Sequence, residues 1–354
     1  MSKKILFSGG GTMGSVSPLI AVWQELKSIE PEISFLFVGT ENGPEKKVIE
    51  SYKIPFLSIS SGKFRRYFDW KNFTDPFKII KGFFQSLKIF LDFKPDVVMI
   101  AGSFVGVPVA WAAWVLRVPV LIHQQDIEVG LANRLMSWTA RKITVSFDLS
   151  LKDFNPGKTV LTGNAIKKEF LHCDKNHSRE LLGLDNDLPT VLITGGGTGA
   201  TNLNQVTKDA LPEILKHCQV IHVTGKDKAI NFQADNYHQY EFFTHEMPEA
   251  VCASDLVVTR AGLSTLSELT ASGKPTVIIP MYKTHQEFNA DYYKKYEAAI
   301  VLSEASLNGE MFASVIDDAL SHPEKLEELS QNIRKMMPAS GAEKIARLLL
   351  DMKK

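Results

Sequence analysis

Two stretches of this chain read almost alike. Ile5-Leu6-Phe7-Ser8-Gly9-Gly10-Gly11-Thr12 stands near the start, and Leu192-Ile193-Thr194-Gly195-Gly196-Gly197-Thr198 stands past the middle. Each is an apolar run ending in consecutive glycines, the pattern of a buried parallel strand that turns tightly into a helix. The next strand-like run closes as Phe37-Val38-Gly39-Thr40 in one half and His222-Val223-Thr224-Gly225 in the other. One plan is used twice. At 354 residues the chain is also too long for one ordinary core. The expectation is an α/β protein of two Rossmann-like domains whose parallel sheets face a central cleft. Residues 1–162 would form the first domain and 163–340 the second, with a helix in 341–354 crossing back to the first.

Strand-like and helix-like runs alternate throughout, as a helix-covered parallel sheet requires. Strands are expected at Ile5–Phe7, Phe35–Val38, Val97–Ile100, Val120–His123 and Ile143–Val145, then at Val191–Thr194, Val220–Val223, Leu256–Thr259 and Thr276–Pro280. Helices are expected at Leu19–Ile29, Val109–Leu116 and Gly130–Ala140. Charge is balanced, 40 basic against 40 acidic residues, which argues against nucleic acid as a partner. The apolar tract Val105–Val120 is broken by Pro108, Arg117 and Pro119, so it does not read as a membrane span. Cys173, Cys218 and Cys252 lack metal-ligand spacing and are expected to be reduced small hydrophobes.

A third stretch, Val257–Glu268, carries the chemistry. Its apolar strand breaks at Arg260-Ala261-Gly262, and Ser264 or Thr265 is placed to cap a new helix. A helix N-terminus after a glycine turn offers unpaired N–H groups and a partial positive charge, a seat for phosphate. Glu268, further along that helix, can accept two hydrogen bonds from a ribose diol. The glycine loops Gly9–Gly14 and Gly195–Ala200 also satisfy the dinucleotide-binding pattern. That mechanism wants an acidic residue ending the second strand; here Gly39 and Gly225 stand there, so a sugar and a diphosphate suit these loops better.

Taken together the motifs resemble the MurG-type glycosyltransferases (family 28, GT-B fold), which move N-acetylglucosamine from UDP-N-acetylglucosamine onto the lipid-linked muramyl peptide of cell-wall synthesis. Val191–Gln205 looks like the family's second glycine loop, Arg260–Glu268 like its nucleotide-sugar signature, Pro280–Ala290 like its donor-sugar segment, and His123–Arg134 like a first-domain signature. For the donor, the resemblance implies Glu268 on the ribose and the Thr244 backbone on the uracil edge. Gly262, Leu263, Ser264 and Thr265 would seat the phosphates beside Arg260. Gly196, Gly197 and Thr198 would form the glycine loop, and His285, Gln286 and Asn289 would meet the sugar. The family's arginine after a Gly-Asn-Pro turn is replaced by Lys167, a point charge rather than a planar fork. For the acceptor it implies Gly11, Thr12, Met13, Gly14, Phe104, Gln124 and Asn133.

The chain departs from the family at the acceptor end. Ser15 stands where the family's first loop has a histidine, and the first-domain signature reads His123-Gln124-Gln125-Asp126 in place of His-Glu-Gln-Asn. Serine is no base near neutral pH without help. Asp126 is therefore the first candidate base, on the argument that burial in a cleft tunes a carboxylate, with His123 second. Ser15 is the third residue of that catalytic group. Inversion at the anomeric carbon needs no protein nucleophile, and no cofactor or metal is expected. The alternatives are a UDP-sugar transferase with another lipid or glycan acceptor, or a UDP-sugar-binding partner subunit without catalysis.

Between Lys63 and Lys94 eight lysines and arginines are interleaved with aromatic residues against three aspartates. Such a mixture suits the headgroup region of an anionic leaflet. Phe64, Arg65, Arg66, Phe68 and Trp70 are the expected membrane contact, whereas Phe77, Ile80, Phe84 and Leu87, at helical spacing, read as core. The implied location is the cytoplasmic face of the cell membrane, peripherally bound. A UDP-sugar, a lipid-linked acceptor and cell-wall synthesis proteins are the implied partners.

Overall fold

In the computed structural model, residues 2–62, 71–197, 199–243 and 245–353 are described. The chain divides into two units, Met1–Lys167 with Pro338–Lys354, and Lys168–Met337.

The first unit is a seven-stranded parallel sheet. Its strands are β1 (Lys4–Ser8), β2 (Ser34–Thr40), β3 (Phe56–Ile59), β4 (Val97–Ile100), β5 (Val120–Gln124), β6 (Lys142–Val145) and β7 (Thr159–Leu161), in spatial order β3-β2-β1-β4-β5-β6-β7. Apolar on both faces, β1 takes an interior place between β2 and β4, where alternate residues serve opposite layers. Ile5 and Phe7 pack with helix Ser17–Ile29, while Leu6 joins the layer of helix Gly106–Val115. The first layer also holds Ala342, Ile345, Ala346 and Leu349 of the C-terminal helix Gly341–Asp351. That helix begins at glycine for a steric reason: a Cβ on Gly341 would lie 2.9 Å from the Gly163 carbonyl oxygen.

The second unit repeats the plan with six parallel strands, β8 (Thr190–Thr194), β9 (Gln219–Val223), β10 (Tyr237–Tyr240), β11 (Leu256–Thr259), β12 (Thr276–Ile278) and β13 (Ile300–Val301), ordered β10-β9-β8-β11-β12-β13. Val258 pairs with Ile193 and Thr259 with Thr194. In each unit the strand order reverses beside the first strand, between β1 and β4 and between β8 and β11. Loops leaving those strand ends flank the crevice in which open parallel sheets hold ligands.

Two expectations are corrected here. Cys173 and Cys252 are joined as a disulfide, their Cα atoms 5.5 Å apart. They are 79 positions apart in sequence, and only packing of helix Met247–Ala253 in this unit brings them together. Cys218 alone behaves as the expected buried hydrophobe, burial raising its thiol pKa to about 12. The second correction concerns helix Lys71–Phe93, where Phe77, Ile80 and Phe84 are exposed, at 74, 54 and 64%. The side chains that fill the core from this helix are Ile79 and Phe90, with Leu87 packed partly against it. Phe64, Arg65, Arg66, Phe68 and Trp70 lie outside the described residues.

Candidate active site

A helix needs its first N–H groups satisfied from outside. In helix Leu263–Ser272 the cap position is Gly262, with no side chain to offer; neither Ser264 nor Thr265 takes the capping position expected of one of them. A Cβ added to Gly262 would meet nothing within 4 Å, so space lies open before the helix. Glycine at the cap, with no side-chain cap and free space around it, leaves the helix dipole and first-turn amides available to an anion. Ser264, Thr265 and Glu268 are each half-buried along this helix, and Leu263 is in the core.

The glycine loop after β8 flanks the same switch point. Gly196 is left-handed at φ +77°, and a Cβ there would also meet nothing within 4 Å. Gly199, at φ +68°, is glycine for the opposite reason, since a Cβ would lie 2.6 Å from Gly225 Cα. The glycine that replaces the dinucleotide-binding acid at the end of β9 thus lets the loop pack down. Gly197 is exposed. Thr198 and Thr244 lie outside the described residues.

The donor-sugar segment joins this region through the side chain of Asn289. Asn289 is 2% exposed and donates to the Ala261 carbonyl at 2.9 Å, which ties helix Gln286–Lys295 to the turn before the anion seat. Gln286 accepts the Met281 N–H through Oε1 at 3.1 Å, and His285 is exposed. Arg260 is 6% exposed and does not stand open as a phosphate anchor. Its Nη2 pairs with Glu304 at 2.5 Å and its Nη1 donates to the Ile279 carbonyl at 3.2 Å. Glu304 carries no motif and is invisible to sequence patterning.

In the first unit the loop after β1 is already liganded from within. Gly11 N–H donates to Glu45 Oε2 at 3.1 Å, and Thr40 N–H donates to Oε1 at 2.7 Å. Glu45, fully buried, was another residue the sequence reading missed. Ser15 is buried in this loop; its Oγ accepts the Gly10 N–H at 3.0 Å and lies within reach of the Gly10 and Thr12 carbonyls. It braces the turn. Ser103, left-handed at φ +73°, donates to the Gly10 carbonyl at 2.7 Å, joining the loops after β1 and β4. Thr12 is exposed, Gly14 is half-buried, and Met13 and Phe104 pack partly against the core.

His123 and Asp126 differ sharply. The His123 ring is fully buried, with Nδ1 2.9 Å from Thr144 Oγ1 and Nε2 2.8 Å from Asn164 Oδ1. Burial lowers its pKa to about 4 despite those hydrogen bonds. Neither nitrogen is left to take a proton from a substrate, so of the two leading candidate bases only Asp126 remains in the proposal below. Asp126 is exposed after β5 rather than tuned by burial as expected. Nor does it cap the next helix, Leu131–Met136, whose cap is Gly130. Gln124 is 1% exposed and holds the loop by donating to the carbonyls of Asp126 at 2.7 Å and Glu128 at 3.0 Å. Asn133 in turn donates to Gln124 Oε1 at 2.6 Å. Lys167 ends the first of the two segments that make up the first unit and is half-buried. Among the described residues no group of three or more His, Cys, Asp or Glu is placed to hold a metal ion.

Comparison with known proteins bears on both units. Residues 5–145 match the glycosyltransferase family 28 N-terminal domain and residues 190–346 the family's C-terminal domain. A Clostridium kluyveri protein, UDP-N-acetylglucosamine--N-acetylmuramyl-(pentapeptide) pyrophosphoryl-undecaprenol N-acetylglucosamine transferase, is 41% identical over 311 residues, 86% of this chain and 88% of its own length. A Clostridium perfringens protein of the same name is 39% identical over 329 residues, 91% of each. Among solved structures, Acinetobacter baumannii MurG superposes with a TM-score of 0.72 at 24% identity, covering 99% of this chain and 100% of that one. A Neisseria meningitidis UDP-GlcNAc 2-epimerase bound to UDP-GlcNAc superposes at 0.70 with 14% identity, covering 99% and 100%. At such identities the likeness is one of fold.

Proposed function

The chain belongs to glycosyltransferase family 28, and on that premise we propose that it transfers N-acetylglucosamine from UDP-N-acetylglucosamine to a muramyl-pentapeptide carried on a lipid diphosphate. The observation that carries this reading is the 41% identity, over 86% of the chain, to an enzyme of that printed activity. The open, glycine-capped N-terminus of helix Leu263–Ser272 supplies the matching chemistry.

The reaction is a single displacement with inversion. An acceptor hydroxyl attacks the anomeric carbon while its bond to the UDP oxygen breaks, the hydroxyl proton passes to a base, and UDP leaves with the negative charge. The amides of Leu263, Ser264 and Thr265 take the diphosphate charge that builds as UDP departs. Glu268 holds the ribose diol, the Thr244 backbone reads the uracil edge, and Gln286 with His285 meets the sugar hydroxyls. Lys167 adds positive charge. The acceptor is taken by the loop Gly11–Gly14 with Phe104, while buried Gln124 and Asn133 act from beneath by holding the loop that carries Asp126. Asp126 receives the proton. No metal or cofactor takes part in this scheme.

The test is incubation with UDP-N-acetylglucosamine and a short-chain lipid-diphosphate muramyl peptide, with and without EDTA. Formation of the disaccharide lipid, unchanged by EDTA, is the expected result. UDP release without that product would move the acceptor to another lipid or glycan, and UDP binding without any release would make the protein a binder. In the same assay Asp126→Asn is expected to lower turnover by about 10²–10⁴-fold, the usual contribution of a general base, with UDP affinity unchanged. Normal turnover would remove Asp126 from that role.

The acceptor's lipid places the reaction at a membrane surface, although among the described residues no helix is long and apolar enough to cross one. We assign the docking face to helix Lys71–Phe93, where Phe77, Ile80, Phe84 and Leu91 are exposed on one stripe beside Lys81 and Lys88. Exposed apolar side chains rimmed by lysines match the inner leaflet of an anionic membrane. Half-exposed Trp114 and Trp138, their rings 5.1 Å apart, form a further apolar patch on this unit. Replacing Phe77 and Phe84 by serine is expected to weaken binding to anionic vesicles by at least about tenfold, since inserting each ring is worth roughly 1.5–3 kcal/mol. Undiminished vesicle binding would remove this helix from the interface.

A further inference from the structure

Glu304 opens a short 3-10 turn after β13 and lies 44 positions from the signature arginine. Its carboxylate, 15% exposed, gathers three segments of the second unit. Oε1 accepts from Arg260 Nη2 at 2.5 Å and from Asn202 Nδ2 at 3.3 Å, and Oε2 accepts the Tyr282 N–H at 3.0 Å. Arg260 precedes the glycine cap of the anion seat, Asn202 lies in the first turn after the glycine loop, and Tyr282 lies in the loop leading to helix Gln286–Lys295. Burial works to raise the pKa of Glu304, but the hydrogen bond from Tyr282 and the pairing with Arg260 outweigh it and hold the carboxyl below the ordinary range. It is ionised at neutral pH.

This arrangement changes the meaning of Arg260. A guanidinium that lies beside a diphosphate seat invites the reading of a phosphate anchor, yet both of its terminal nitrogens are engaged, on Glu304 and on the Ile279 carbonyl. Its charge is balanced inside the protein. The loop between β12 and helix Gln286–Lys295 is bonded within itself, Met281 to Gln286 and Thr284, while Met281, Tyr282 and Lys283 are exposed and the helix is tied to the anion-seat turn at Asn289. The Tyr282 amide is where Glu304 grips this loop.

We propose that Glu304 is a positioning residue for the sugar of the donor: by holding Arg260, the Tyr282 amide and Asn202 together it fixes the Met281–His285 loop beside the diphosphate seat, and Arg260 serves as a strut rather than an anchor. The inference rests on the donor site proposed above. It separates two parts of that site, because the ribose and diphosphate contacts lie on helix Leu263–Ser272, whereas the sugar contacts depend on the loop that Glu304 grips.

The experiment compares wild type with Glu304→Ala, Glu304→Gln and Arg260→Lys. Binding of UDP and of UDP-N-acetylglucosamine is measured by calorimetry, KM for donor and acceptor by steady-state assay, and melting temperature alongside. In Glu304→Ala the donor KM is expected to rise about tenfold, as misplacement of a positioning segment does. UDP affinity and acceptor KM are expected to stay within about twofold. Glu304→Gln, which keeps an oxygen for the Tyr282 amide, is expected to recover most of the donor KM, and Arg260→Lys to raise it as Glu304→Ala does. Equal losses of UDP and UDP-N-acetylglucosamine in Arg260→Lys would restore Arg260 as a phosphate anchor and overturn the inference. So would an unchanged donor KM in a folded Glu304→Ala, or the same loss in Glu304→Gln with a collapsed melting temperature. Wild-type protein that binds no UDP would overturn the donor site itself, and the inference with it; normal UDP binding with unmoved Glu304 variants overturns the inference alone.

Discussion

Glu268→Ala is expected to weaken UDP binding by about a hundredfold. A carboxylate that accepts both hydroxyls of a ribose makes two hydrogen bonds with a charged partner, each worth roughly 1.5–3 kcal/mol, and the half-buried position of Glu268 places the sum toward the lower end, about 3 kcal/mol. Glu268→Gln, which keeps one acceptor oxygen, should fall between wild type and alanine. The decisive comparison uses 2′-deoxy-UDP. Wild type should bind it more weakly than UDP, and the alanine variant should bind both alike, because the group that reads the 2′-hydroxyl is gone. UDP affinity that survives the alanine substitution would remove Glu268 from the ribose, and with it the main specific contact of the donor site.

The second large effect is acid destabilisation, and it comes from two buried histidines that the chemistry does not use. His123 in β5 and His222 in β9 are both fully enclosed, and burial lowers each pKa from 6.5 to about 4. Their rings are held neutral: His123 between Thr144 and Asn164, His222 between Tyr237 at 2.8 Å and Asn204 at 3.2 Å. The unfolded chain takes up these protons near pH 6.5, while the folded chain refuses them until about pH 4. Stability from this source is therefore full above pH 6.5 and is lost as pH falls through the window from 6.5 to 4. At pH 5 the loss is about 2 kcal/mol per histidine, from the proton uptake of the unfolded state alone. Partly buried His238, its pKa also lowered by desolvation, acts in the same direction. Because one main histidine lies in each unit, both units should weaken together. Urea midpoints at pH 7 and pH 5 check this, and His222→Gln should flatten the dependence of the second unit. A midpoint that does not move between those pH values would mean the rings are not held neutral.

Much of the fold was legible before the structure because its central strands are buried on both faces. Runs such as Ile5–Phe7, Val97–Ile100 and Leu256–Val258 are apolar throughout, and the loops that follow the first strand of each sheet are glycine-rich where the backbone turns or approaches another chain segment closely. The strands that escaped notice, β3, β7, β10 and β13, are all at or near a sheet edge. An edge strand is covered on fewer sides, so Tyr237-His238-Gln239-Tyr240 can be mostly polar and Ile300–Val301 only two residues long without leaving a pattern. The expected helix Gly130–Ala140 is shorter, Leu131–Met136, because a six-residue helix carries too little period to mark its end.

The site divides along the same line. Gly196 and Gly199 announce themselves because glycine suits a left-handed turn and a close backbone approach, and Gly262 because it follows an apolar strand and opens a helix, all of them local signals. The donor half of the function was therefore written into contiguous motifs, and the family could be recognised from them. What the tertiary structure decided are partnerships across long separations: Glu45 with Gly11, His123 with Asn164, Arg260 with Glu304, Cys173 with Cys252. The apolar stripe of helix Lys71–Phe93 belongs with them, since helical spacing puts Phe77, Ile80 and Phe84 on one face but only packing decides whether that face is covered. A residue's sequence states what it can offer, as acid, base, thiol or ring. Which of those offers is consumed within the fold and which stays open to a substrate depends on what lies opposite it, and in this chain that is set by the order in which parallel strands from distant segments come to lie side by side.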